Sequence, residues 1–319
     1  MQPVDRPIFI VGVHRSGTTL LRFMLNSSPR IYIPPESDFI PRFFLHRPHD
    51  ELSDTRIAQL LDTIFSRYRM VKEWQGAPPD PAAFAARLPA RTPAAFLDTL
   101  YREYAQQHGA VRWGDKTPIY ASYVDLIAGI LPGAQFIHII RDGRDVALSM
   151  LDKWGEKEFH VDIYFTARNW VRRIRRARAS GGRLGPGRYY ELRYEALAAD
   201  PEAELRPLCA FLGEEYLPAM AKPHRLGQAQ VAPGDFHAPL RRPPSTARVG
   251  RWQREMAPAD LRLFQHVAGD LLAELDYEPA DAGSMPPTEA ARLAAYALKY
   301  STLQAGRRVL QAAGLVPPI

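Results

Sequence analysis

Buried-strand runs that pass straight into helices, one of them through a glycine-bounded turn, predict an α/β fold: a three-layer sandwich with a central, mostly parallel sheet flanked by helices. The first run, Ile8-Phe9-Ile10-Val11-Gly12-Val13, is apolar and β-branched, the pattern of a strand covered on both faces. The second, Phe136-Ile137-His138-Ile139-Ile140, ends in Arg141 and turns into a helix carrying Ser149. Shorter runs at Val111–Trp113 and Arg188–Leu192 add two more strands, with helical stretches between them.

Along the chain, Thr18-Thr19-Leu20-Leu21-Arg22-Phe23-Met24-Leu25 reads as the helix after the first turn. Residues from about 40 to 110 read as a helical insertion, which includes the Ala- and Pro-rich stretch Gln75 to Pro93. Asp162 to Ser180 forms a helix with an apolar stripe (Ile163, Ala167, Trp170, Val171, Ile174) and a solvated basic face (Arg168, Arg172, Arg173, Arg175, Arg176, Arg178), ended by Gly181-Gly182. Leu205 to Leu212 is apolar around Cys209, which reads as a buried structural thiol. Gln228 to Pro244 reads as loop. The division is a domain over residues 1–280 and a linker with a terminal helix over 281–319, Thr288 placed to cap that helix and Glu289 in its first turn. The helix has three readings: docking on the domain, pairing with a second copy, or lying on a membrane.

At 319 residues, 46% hydrophobic and 24% charged, the composition is that of a globular protein with a substantial core. One cysteine excludes an internal disulfide and a zinc site built on several cysteines. The start lacks a basic-then-apolar leader, and no apolar run reaches the roughly 18 residues of a membrane span, so the expected compartment is the cytoplasm. The net charge of +6 fits a polyanionic ligand as well as nucleic acid or acidic lipid.

The turn Gly12-Val13-His14-Arg15-Ser16-Gly17-Thr18-Thr19 places helix-start N–H groups and the positive end of a helix dipole where an anion can sit. It is P-loop-like, yet the lysine of a nucleotide triphosphate loop is replaced by Thr18, and the cation has moved to Arg15. Such a loop suits a 5′-phosphate bearing one further anionic group better than a magnesium triphosphate. Arg141 at a strand tip and Ser149 two helical turns on can grip a second phosphate, because a guanidinium gives planar, charge-assisted bonds to an oxyanion.

These segments resemble the cofactor motifs of the sulfotransferases that use 3′-phosphoadenosine 5′-phosphosulfate (PAPS), over roughly residues 6 to 275 in motif order. In spacing the chain is similar to the tyrosylprotein sulfotransferases and the bacterial branch beside them. The resemblance implies that Arg15, Ser16, Gly17, Thr18 and Thr19 hold the 5′-phosphosulfate, and that Arg141 and Ser149 hold the 3′-phosphate. Glu36 lies 21 residues after Arg15, the offset of the catalytic glutamate in the tyrosylprotein branch, which makes it the general base, with Asp38 its nearest rival. Relatives commonly carry another acid where this chain has Pro35, and often proline where it has His14. Lys116, in Trp113-Gly114-Asp115-Lys116-Thr117-Pro118, resembles the lysine that, with Arg15, stabilises charge on the leaving phosphate. Tyr194 matches a position near the adenosine and reads equally as a core tyrosine. Arg251, in Thr246-Ala247-Arg248-Val249-Gly250-Arg251-Trp252, resembles a residue of the loop that folds over the cofactor, and Lys153, four residues after Ser149, is a further phosphate candidate. Ser245 or Thr246 is placed for the sulfuryl end, and Arg144 and Asp145 for ion pairs that shape their turn.

The expected reaction is sulfuryl transfer from PAPS, without a metal, to a hydroxyl of a carbohydrate, lipid, small metabolite, phenol or peptide tyrosine. Histidine bases occur in the aryl and alcohol sulfotransferases. Here His138 lies in a buried strand, while His14 and His237 remain open as acceptor contacts. The alternative, a P-loop kinase or NTPase, lacks its lysine and would need Asp142 or Asp115 for magnesium. A nucleic-acid binder is disfavoured because aromatic residues do not interleave with the basic run in a stacking pattern. Peripheral membrane contact and a homodimer stay open.

Overall fold

The computed structural model describes residues 6–67, 78–155, 158, 161–232, 237–280 and 283–312. Expectations for residues 1–5, 75–77, 233–236, 281–282 and 313–319 lie outside them. Five parallel strands, β1 (Ile8–Gly12), β2 (Ile31–Tyr32), β3 (Arg112–Lys116), β4 (Gln135–Ile140) and β5 (Tyr189–Arg193), form one sheet in the order β2-β3-β1-β4-β5. Every residue of β1, β3 and β4 is buried, as a sheet covered by helices on both faces requires. The expected sandwich is therefore what forms. Strand β1 leads towards β3 on one side and β4 on the other, so the crevice at its C-terminal end is the switch point at which open α/β sheets bind ligands.

Helix α1 (Thr18–Leu25) follows β1. Helices α2 (Ile40–Phe44), α3 (Asp54–Arg67), α4 (Pro81–Arg87) and α5 (Pro93–Gln107) fill the segment between β2 and β3. Next come α6 (Val124–Ile130), α7 (Gly143–Met150), which springs from β4, and the long α8 (Ile163–Leu184). After β5 lie α9 (Tyr194–Ala199), α10 (Pro201–Leu212), α11 (His224–Gln230), α12 (Trp252–Glu255), α13 (Pro258–Glu274) and α14 (Pro287–Ala312). Cys209 is buried in α10, and burial pushes its thiol up to about 11.

The structure corrects several expectations. Strand β2 was not predicted, because two residues carry no alternation to read. Strand β3 runs on past Trp113 to Lys116, since Phe9 and Ile10 pair with Asp115 and Lys116. Helix α8 does not stop at Gly181-Gly182. It continues to Leu184 and ends at Gly185, whose φ of 76° suits a residue without a Cβ. Gly181 serves another purpose: a Cβ there would lie 2.4 Å from the Tyr189 ring, so the glycine lets β5 approach the helix. The basic face of α8 is accessible at Arg168, Arg175 and Arg176, but Arg173 is buried. The segment from Gln228 is not all loop, for α11 reaches Gln230 and a 3₁₀ turn spans Ala238–Arg241.

Thr288 lies inside the first turn of α14 rather than at its cap, and Glu289 binds Arg262 at 2.6 Å. The helix docks on the domain, with Lys299 on Asp162 at 2.7 Å and Tyr300 edge-on to Tyr164. Leu298, Leu303, Val309 and Leu310 on the same helix remain exposed. No helix of the described residues is long and apolar enough to cross a membrane.

Candidate active site

The turn between β1 and α1 carries two left-handed residues, Arg15 (φ 73°) and Gly17 (φ 93°). For Gly17 the reason is space as well as conformation, because a Cβ would fall 2.4 Å from the Tyr194 ring. For Arg15 the conformation is a stored strain, of a kind that clusters at ligand-binding turns. Gly17 gives α1 no side-chain cap, and the first turn holds no acid, so the leading N–H groups are available to an anion. Ser16 Oγ is buried without a hydrogen-bond partner in the same turn.

Arg15 reaches across to α7, where its Nε donates to Ser149 Oγ at 2.9 Å. The sequence thus places Arg15 and Ser149 in two motifs, and the fold brings them into contact. Arg141 stands behind them. It donates to the Arg15 carbonyl (3.0 Å) and the Arg248 carbonyl (2.5 Å), lies 3.6 Å from the Asp145 carboxylate and stacks 4.5 Å over Tyr194. Its Nε is buried and unpartnered. Tyr194, itself buried, backs both Gly17 and Arg141. Burial, then the charges of Arg248 and Arg141, lower the Arg15 guanidinium to about 10, so it stays charged at neutral pH.

Arg15 and Ser149 open onto a cleft of about 470 Å³ lined also by Asp152, Lys153, Ala247, Arg248, Arg251 and Glu255. Lys153 and Arg251, both expected near a phosphate, meet there. Arg251 is ion-paired to Asp152 (3.1 Å) and Glu255, and those bonds hold its pKa above the usual arginine value. Arg248 and Asp152 were not singled out from the sequence. Arg248 stands within the quoted late segment, whereas Asp152 gave no signal. What brings this late segment over the cleft is Asp145, whose carboxylate accepts from the Gly250 N–H (2.8 Å) and the Trp252 N–H (3.0 Å). Asp145 and Arg144 do form ion pairs at the turn, with Arg141 and Asp142 respectively. Thr246 begins a 3₁₀ turn of exposed residues and Ser245 precedes it, neither lining the cleft.

Glu36 is positioned from the neighbouring loop. Ser37 is fully buried, its N–H donating to Thr117 Oγ1 (3.0 Å) and its hydroxyl bonded to Tyr120 Oη (2.8 Å). Glu36 therefore leans on the end of β3, and Lys116 Nζ contacts its Oε1 at 2.7 Å. Burial lowers the Lys116 pKa, and Glu36 opposes the shift. Asp38 holds a φ of 58°. It keeps accessible surface, but burial followed by the Glu36 charge pushes its carboxyl up to about 6. His14, half-buried against Trp154, is pushed down to about 3 by burial and then by Arg173. Groups that stay accessible while being this strongly desolvated line a recess. Its acids and Arg15 lie within one electrostatic field, since Glu36 acts on Arg15.

Because the folded protein disfavours ionised Asp38, stability falls as pH rises from about 4 through about 6. Asp38→Asn, which also tolerates the left-handed backbone, is expected to flatten that loss in thermal melts between pH 4 and 7. An unchanged profile would mean that Asp38 is not held in the recess.

The other candidates are committed elsewhere. His138 is buried against Tyr189 Oη at 2.6 Å. Asp115 is fully buried and accepts from Tyr101 at 2.6 Å, while Asp142 caps α7 and pairs with Arg144, so neither carboxylate faces the loop as a magnesium ligand would. His237 opens the 3₁₀ turn at Ala238–Arg241.

Comparison with known proteins gives the class: residues 7–218 match the family model described as Sulfotransferase family. The chain belongs to the sulfotransferase family. It is 30% identical over 218 residues to an uncharacterized protein of Aquifex aeolicus, covering 66% of this chain and 26% of that one. It is 28% identical over 263 residues to the omega-hydroxy-beta-dihydromenaquinone-9 sulfotransferase Stf3 of Mycobacterium tuberculosis, covering 68% and 66%. The chain thus spans about a quarter of the first relative's length and just under two thirds of the second's. Among solved structures, the sulfotransferase domain of the Synechococcus PCC 7002 olefin synthase superposes with a TM-score of 0.60 at 26% identity, covering 87% of this chain and 98% of that one.

Proposed function

We propose that this chain transfers the sulfuryl group of PAPS to a hydroxyl acceptor, with Glu36 as general base. The observation that carries the reading is the meeting of Arg15 and Ser149 in one cationic cleft, with Ser16 Oγ and Arg141 Nε buried and unpartnered behind it. Orphaned donors of this kind fit a polyanionic donor substrate. The Gly17–Thr19 amides, Ser16 and Arg15 would hold its 5′-phosphosulfate. Arg141, Ser149, Lys153 and Arg251 would serve the 3′-phosphate, and Tyr194 would fix Arg141. PAPS supplies an activated sulfuryl group, and the chain's own residues supply position and charge.

Glu36 takes the acceptor proton as the new S–O bond forms. Lys116, 2.7 Å from Glu36, would with Arg15 offset the charge that grows on the departing phosphate. Cations in place of a metal suffice for this charge balance. Residues 1–280 would form the transferase domain and 281–319 its linker and added helix. A second reading, Asp38 as base, is favoured by its carboxyl titrating nearer neutrality. It predicts that Asp38→Asn, rather than Glu36→Gln, abolishes turnover.

The direct test is transfer from labelled PAPS to a broad panel of hydroxyl compounds, alongside calorimetric binding of adenosine 3′,5′-bisphosphate. Arg15→Ala and Arg141→Ala should each weaken that binding by about 10- to 100-fold, the ~1.5–3 kcal/mol of a charge-assisted hydrogen bond. No binding by the wild-type protein would refute the reading.

A further inference from the structure

Arg173 is the residue that the mechanism leaves unexplained. It projects from α8, is 7% exposed, and has Nη1 buried without a hydrogen-bond partner. No hydrogen bond or ion pair joins it to another described residue, although its neighbours Arg172 and Arg178 bind Asn169 and Glu191. Burial, then the Arg172 charge, lowers its guanidinium to about 10, so it remains a cation at neutral pH. A buried, unpaired guanidinium is costly and persists where something else requires it.

Its surroundings identify what that is. Arg173 acts electrostatically on His14, Asp38 and Glu36, the groups that line the recess around the proposed base. Tyr123 faces it as well. Neither acid is bonded to it: Glu36 is paired with Lys116, and among the described residues no hydrogen bond or ion pair joins Asp38 to Arg173. Arg173 is also absent from the lining of the cationic cleft that would take the donor's phosphates. It therefore belongs to the acceptor side.

We infer that the acceptor is an alcohol or phenol that carries its own anionic group, a carboxylate or phosphate, and that Arg173 binds that group while the hydroxyl lies at Glu36. The inference rests on the sulfuryl-transfer reading and names its substrate class. A guanidinium offers a carboxylate or phosphate two parallel N–H bonds, and in a desolvated recess it selects strongly against a neutral analogue that leaves it unpaired. His14, held neutral beside it, adds no competing charge.

The test uses the full chain saturated with adenosine 3′,5′-bisphosphate, titrated calorimetrically with 4-hydroxyphenylacetate, 6-hydroxyhexanoate and glycerol 3-phosphate. The controls are the methyl esters of the two acids and glycerol. At least one anionic probe should bind ten-fold or more tighter than its neutral counterpart. Arg173→Gln should level that pair and Arg173→Lys restore part of the difference, with the affinity for adenosine 3′,5′-bisphosphate unchanged in both. Whichever of the carboxylates or the phosphate binds tighter identifies the anion. Neutral probes binding as well as anionic ones, no anionic probe binding, or a preference that survives in Arg173→Gln would overturn the inference. The comparison within the wild-type protein needs no variant to fold. Failure of adenosine 3′,5′-bisphosphate to bind would instead remove the underlying sulfuryl-transfer reading, and the inference with it.

Discussion

Glu36→Gln is expected to lower turnover by about 10²–10⁴-fold, the range for loss of a general base, while adenosine 3′,5′-bisphosphate binds as before. Glutamine is the informative replacement because its carbonyl oxygen can still accept from Lys116 Nζ, now 2.7 Å from the Glu36 carboxylate. An alanine would leave a 96%-buried ammonium without its partner, and the damage could not be assigned to the lost base. The Ser37 anchor on Thr117 and Tyr120 is untouched, so the loop keeps its place. Steady-state rates with labelled PAPS, paired with calorimetry, separate the two effects. Full turnover in Glu36→Gln together with loss in Asp38→Asn would hand the role to Asp38. His14 is a poor heir, since an imidazole pushed down to about 3 has little affinity for a proton.

Asp145→Ala should be the most damaging change outside the chemistry. One fully buried carboxylate accepts two backbone N–H groups, from Gly250 and Trp252, and faces Arg141 at 3.6 Å. Removing it strands both donors and deprives a buried guanidinium of its counter-charge, a loss of about 3–5 kcal/mol. At the roughly 2–4 °C per kcal/mol of a domain of this size, the melting temperature should fall by about 6–20 °C. Affinity for adenosine 3′,5′-bisphosphate should fall with it, because Arg248 and Arg251 ride on the tethered segment. A variant that melts and binds like the wild type would show that the segment is held by something else.

The strands at Ile8 and Phe136 and the helix at Thr18 were legible because buried parallel strands need unbroken apolar runs, and a phosphate-binding turn needs glycine beside the helix start. Arg15, Arg141 and Ser149 were legible for the same reason, at a turn, a strand end and the helix after it, whereas Glu36 and Lys116 were singled out by the family resemblance. Strand β2 was not, because two residues gain their strand character from pairing with Arg112 and Trp113. Gly181 was misread as a helix stop, since nothing local reveals the Tyr189 ring packed against it.

Arg173 shows the limit most clearly. It shares the buried row Thr166, Trp170, Ala177 and Ser180 on α8, a spacing that could have marked it as inward-facing, yet its residue type argued for solvent. Taken alone, the sequence determined the fold class and the anion-binding form of the turn at Gly12–Thr19, because both depend on backbone conformation and short-range spacing. Only the tertiary structure decided that Arg15 meets Ser149, that Asp145 ties down the late segment, and that Arg173 is buried with Nη1 unpartnered. Those facts depend on contacts between residues more than 100 positions apart or on burial, and electrostatics acts through space rather than along the chain.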